Sequence, residues 1–170
     1  MRVRRENDTL LVNLNALEAR VFLRVLRLLA DHYRLAPGDL AEPAASAWYS
    51  TRGCASAGMS GEETREWLAH LHAFKSARLE KIEDWAAQLA QTGNGPARIL
   101  VSLDDAPAFI AAINDHRLLM AAHHHIGQEE MDARSVVQLL KLPSATQEAL
   151  MEIHFLAWMI EETLRVLQEP

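Results

Sequence analysis

Four of the eight histidines lie close together in the sequence, His116 and the run His123-His124-His125, and imidazole nitrogen is a common ligand of zinc and related metals. A metal-binding protein or metal-dependent enzyme would use His116, His123 and His124 with a carboxylate such as Glu129. On a helix, however, consecutive side chains point about 100° apart, so the triple alone does not converge on one ion, and no His-Glu-x-x-His pattern accompanies it. Glu66 and His70 have the i,i+4 spacing of co-ligands or of an ordinary helix pair, and His154, amid apolar residues, reads as a core histidine with a satisfied hydrogen bond. The single cysteine, Cys54, lies beside Gly53 in a segment of small residues, where an exposed thiol would be redox-sensitive. Gly-x-Ser-x-Gly, Gly-rich phosphate loops and Gly-x-Gly-x-x-Gly do not occur, so the usual hydrolase and nucleotide-binding readings lose their support. Lys75, Arg78 and Lys81 recur every three residues, but Glu80, Glu83 and Asp84 interleave, which describes a solvated face. The most distinctive polar run is Asn114-Asp115-His116-Arg117, set inside an apolar helix. Such residues are costly to bury unpaired, so the turn either meets solvent or forms a satisfied network with a neighbouring helix.

The elements that position these residues follow from hydrophobic period and turn chemistry. Thr9–Leu14 reads as a short strand, and Asn15 with Glu18 as a capping box opening a helix from Ala16 to about Arg34. A shorter helix carrying Trp48 and Tyr49 falls between Asp39 and Ser50, and Thr51–Ser60 has no apolar period and reads as a loop. Ser60 with Glu63 starts a helix of near thirty residues reaching Gln91, its stripe formed by Trp67, Leu71, Phe74, Ile82, Trp85 and Leu89. Ala97–Leu103 is a second strand. Asp104 then caps a helix to about Ile126, with Gly127 at its C′ position. Val136 to Leu140 suggest one or two helical turns, and Ser144 with Gln147 forms a third capping box before a helix to about Gln168. That helix is apolar nearly all round from Ile153 to Ile160, which places it at the centre of a bundle. The expectation is a mainly α fold: a single helical domain over residues 1–170, five to six helices, and a small two-stranded β element of residues 9–14 and 97–103.

Composition narrows the function. The chain has 170 residues, a net charge of −6 and one cysteine, which suits an acidic cytoplasmic protein in a reducing compartment and disfavours a nucleic-acid backbone as principal partner. No apolar run is long enough to span a membrane. The basic residues concentrate at Arg2, Arg4 and Arg5 and at Arg20, Arg24 and Arg27, where an anionic protein or a weak nucleic-acid contact would fall. Trp48, Trp67, Trp85 and Trp158 are expected in the core or at helix contacts, and the apolar faces of the last helix would allow a homodimer.

The run Asp104 to Met120 with its Asn-Asp-x-Arg-Leu helix, the Ile126-Gly127-Gln128-Glu129-Glu130-Met131 link and the closing helix through Trp158–Leu164 resemble a mainly actinobacterial helical family of unknown function. The resemblance runs in order through nearly the whole chain and departs from the family pattern at the triple histidine. It marks Asn114, Asp115 and Arg117, with Glu18, as family positions. Genes of that family neighbour the adaptor of the Clp protease, which implies by association a link to regulated proteolysis or stress control. The expected function is a non-enzymatic regulatory or adaptor protein that binds another, unidentified protein, with no cofactor, and with metal binding as the alternative.

Overall fold

A computed structural model describes residues 1–93, 95–131 and 141–169, apart from the side chain of Glu129. The helical turns expected around Val136–Leu140 lie outside the described residues.

The chain begins with a strand, β1 (Arg2–Glu6), that turns through Asn7-Asp8 into β2 (Thr9–Leu14). Asn7 adopts φ 54°, the left-handed conformation that asparagine tolerates better than most residues. β2 also pairs antiparallel with β3 (Ala97–Ser102), from Thr9 opposite Ser102 to Leu14 opposite Ala97. The sheet therefore has three strands in the order β1-β2-β3, where two were expected. β1 escapes a hydrophobic count because Val3 is its only apolar residue. Val3, Leu10, Val12, Leu14, Ala97, Ile99 and Val101 are buried on the inner face. Arg2, Arg4, Arg98 and Leu100 are exposed on the other.

Helix α1 (Ala16–Tyr33) starts at the expected capping box: Asn15 accepts from the Leu17 and Glu18 amides, and Glu18 accepts from the Asn15 amide. Its buried side, Phe22, Val25, Leu26, Leu29 and Tyr33, meets the core. There the ring of Phe109 stands edge-on to Phe22 and to Trp85, at centroid distances of 5.8 and 5.1 Å. Two short helices follow, α2 (Ala44–Trp48) and α3 (Arg52–Ser56). The second lies in the segment expected to be a loop, and it holds Cys54 buried rather than exposed.

The expected thirty-residue helix is two helices, α4 (Gly61–Ser76) and α5 (Leu79–Ala90). The break falls at Ala77-Arg78, where the Arg78 side chain is drawn into the interior. As a result Ile82, Trp85 and Leu89 of α5 are buried, whereas Trp67 and Phe74 of α4 are exposed.

Helix α6 (Ala106–His123) is preceded by a 3-10 turn in which Ser102 Oγ, not Asp104, accepts the Asp105 amide. His125 rather than Gly127 takes the left-handed conformation after its end, with φ 51°. A short α7 (Gln128–Met131) leads toward α8 (Ser144–Gln168). No capping box opens α8: Pro143 occupies the cap position, and the Gln147 side chain donates to the Leu142 carbonyl at 2.8 Å. Nor is α8 central. Its buried residues, from Ala149 through Ile153, Leu156 and Met159 to Val166, recur at three- and four-residue spacing, leaving Met151, His154 and Trp158 outside. His154 is thus a surface residue and not the core histidine expected from its apolar neighbours. Among the described residues no helix is long and apolar enough to cross a membrane.

Candidate functional site

The polar turn of α6 divides its side chains between two buried networks and the surface. Asp115 points toward α1, α2 and the α4–α5 bend. Its Oδ1 accepts from Lys75 Nζ at 2.6 Å, and its Oδ2 from the Tyr33 hydroxyl at 2.5 Å and Arg78 Nη1 at 3.0 Å. Trp48 Nε1 donates to the Asp115 carbonyl at 2.8 Å, and Lys75 Nζ lies 5.1 Å from the Trp48 ring centre. Burial pushes the Tyr33 hydroxyl far above its ordinary value, and the adjacent Asp115 carboxylate adds to the rise. Burial also lowers the Lys75 ammonium, against the pull of Asp115. All four polar groups have partners, and the carboxylate already accepts three donors. This is a lock among helices, tying α6 to α1, α2 and the α4–α5 bend.

Lys75 and Arg78 are therefore interior residues, not members of a solvated face. Their three-residue spacing puts both on the inner side of the bend, and Lys81, one step further, reaches Asp105 instead. Arg78 also lies over the ring of Phe74, 4.5 Å from its centre.

His116 points to the other side of α6. Its Nε2 is 2.7 Å from Glu152 Oε1 on α8, and the second Glu152 oxygen takes Arg24 from α1. Burial raises the Glu152 carboxyl, but His116 and Arg24 outweigh it and hold the group below the usual carboxylate range. Among the described residues, the buried His116 Nδ1 has no hydrogen-bond partner. The three histidines of the metal reading do come together: His116, His123 and His124 line one cleft of about 430 Å³ with His32, Glu42 and Met120. The His123 and His124 rings stand 5.0 Å apart, centre to centre. Among the described residues, nevertheless, no three His, Cys, Asp or Glu side chains are placed to hold a metal ion. The Glu129 side chain lies outside the described residues.

What the turn presents outward is Asn114, with the half-buried Arg117 donating to it at 3.3 Å, and Leu118. Asn114, Asp115 and Arg117 therefore do not form one site, because Asp115 faces inward. The larger exposed feature is on α4, where Trp67 is 47% and Phe74 66% exposed, with Leu71 half-buried between them. These positions follow each other at four and three residues, one stripe along the helix. Of the sixteen residues of α4 only Lys75 is buried. Sequence period alone assigned Trp67 and Phe74 to the core. The signal against it was local: Glu62, Glu63, Arg65, Glu66 and His70 surround them, a density of charge that α5 lacks on its inner side.

The family described as "Domain of unknown function (DUF2017)" matches residues 1–167. No curated protein and no solved structure matches the chain.

Proposed function

We propose, for a chain that belongs to the DUF2017 family, that it acts as a regulatory or adaptor protein by binding another protein through the exposed stripe of α4. One observation carries this reading: along a sixteen-residue helix Trp67 and Phe74 stay exposed on either side of Leu71, which alone of the three packs against the core. Trp is among the residues that dominate interface energies, and aromatic side chains held rigid lose little entropy on binding. The stripe is held. Asp115 fixes Lys75 in the last turn of α4 and Arg78 beyond it, and Arg78 in turn backs Phe74. Asp115 thus contributes to the site by positioning α4 and not by contact.

The partner is characterised by charge. Glu62, Glu63 and Glu66 against Arg65 make the first two turns of α4 acidic, so the complementary surface is apolar and flanked by basic residues. The test is a crosslinked pull-down from the native host lysate with the intact chain, Trp67→Ala/Phe74→Ala and Asn114→Ala/Arg117→Ala side by side. A basic-flanked partner retained by the chain and lost from the α4 variant supports the reading. Retention of every partner by the α4 variant, with its melting curve unchanged, removes it.

A further inference from the structure

The three-stranded sheet has two outer edges, and they are treated differently. On β3 the edge is closed by α5: Gln88 Oε1 accepts the Leu100 amide at 2.8 Å, and its amide nitrogen lies 3.4 Å from the Leu100 carbonyl. Asp84 holds the Gln88 side chain in place at 2.8 Å. On β1 no further strand pairs among the described residues. Because a two-residue turn joins β1 to β2, Glu6 and Thr9 form a hydrogen-bonded pair, and so do Arg4–Leu11 and Arg2–Asn13. The backbone groups of Val3 and Arg5 consequently face the open side.

A groove of about 640 Å³ runs along that side. Consecutive residues Arg2, Val3, Arg4 and Arg5 line it, so it follows the strand edge and not one face of the sheet. Its far wall is the end of α8, at Arg165, Val166 and Glu169. Arg165 is already neutralised by Glu162 and Glu169. Arg2, Arg4 and Arg5 are exposed and, among the described residues, form no ion pair. On a chain of net charge −6 this edge is locally cationic.

We infer that the β1 edge takes an acidic, extended segment of a partner protein as a fourth strand. Val3 and Arg5 supply the backbone hydrogen bonds, and carboxylates at alternate positions meet Arg2 and Arg4 on the outer face. The residue between those carboxylates is apolar, because it falls opposite Val3 on the side of Val166. A second copy of the chain does not fit, since pairing β1 with β1 sets arginine against arginine. The surface is separate from the α4 stripe and opposite in charge, as an adaptor joining two different partners needs.

The experiment uses the full chain and an end-blocked fluorescent peptide of alternating Glu and Val, seven residues long, followed by anisotropy. Saturable binding that weakens with added salt is expected, together with slowed hydrogen exchange at the Val3 and Arg5 amides. Arg2→Glu/Arg4→Glu should weaken it by about tenfold or more, about 0.7 kcal/mol or more per reversed charge. Trp67→Ala/Phe74→Ala should leave it unchanged, which keeps this result independent of the α4 reading. The same peptide N-methylated at the amides facing β1 leaves the protein intact and should lose binding. Equal binding of the N-methylated peptide, equal binding of a Lys/Val peptide, tighter binding of a seven-nucleotide oligothymidylate, or a dimer abolished by the Arg2/Arg4 reversal would each overturn the inference.

Discussion

Replacing Asp115 by Ala removes the one carboxylate in a site that keeps two buried cations, Lys75 and Arg78, and the Tyr33 hydroxyl. Removing one member of a buried ion pair costs about 3–5 kcal/mol, since the partner charge stays behind without water. Here the three donors lose their acceptor together, so the upper part of that range applies. For a chain of this size about 1 kcal/mol shifts the melting temperature by roughly 2–4 °C, so a loss of about 4–5 kcal/mol sets the expected fall at roughly 8–20 °C. Asp115→Asn keeps the shape and one acceptor oxygen and should fall less. Burial already lowers the Lys75 ammonium, and without Asp115 the opposing pull is gone. A lowered lysine binds fewer protons folded than unfolded, so relative to the parent the Asp115→Ala chain should gain stability as the pH rises toward the ordinary lysine value of 10.5, while Tyr33, kept protonated by burial in both chains, pulls both the other way through its ordinary 10.0. Thermal and urea melts followed by helical circular dichroism across that pH range measure both effects. A loss of less than about 1 kcal/mol, the scale of an exposed pair, would mean that this network does not hold the helices together.

The Glu152 carboxyl, held down by His116 and Arg24, binds fewer protons folded than unfolded as the pH falls below its ordinary 4.5. The stability it contributes is present above that pH and lost as the pH falls through the folded value, so urea midpoints of Glu152→Gln should vary less with acid than those of the parent. Trp67→Ala and Phe74→Ala remove exposed side chains and should change stability by no more than about 1 kcal/mol each, read by urea melts. A larger loss would return the stripe to the core. Zinc titration of the untagged chain tests the metal reading: the described residues, of which no three His, Cys, Asp or Glu side chains are placed to hold an ion, should by themselves give no tight one-to-one binding. A stoichiometric zinc retained through a chelator wash would restore His116, His123 and His124 as ligands.

The elements legible in the sequence are those fixed by contacts a few residues apart. Asn15 with Glu18 and Ser60 with Glu63 announce two helix starts because both partners of each cap lie within four residues. The polar run on α6 was legible as a turn that needs either water or partners. Its partners were not, because Tyr33, Trp48, Lys75 and Arg78 reach Asp115 from distant segments. Counting charges near Lys75 and Arg78 finds Glu80, Glu83 and Asp84 and misses the carboxylate that binds them. The same blindness hid the α4–α5 bend, which falls where Arg78 turns inward to Asp115. β1 was illegible for another reason: an edge strand with one inward residue carries almost no hydrophobic period.

The middle strand of the sheet has one neighbour close in sequence and one remote. β1 lies across a two-residue turn from β2, whereas the partner of Thr9 is Ser102. The hairpin closes over its own short stretch, whereas pairing β2 with β3 closes a loop that contains α1 through α5, so it is the costlier of the two in chain entropy. Until that longer loop is closed β2 has one unpaired edge, the kind of surface on which other chains can pair.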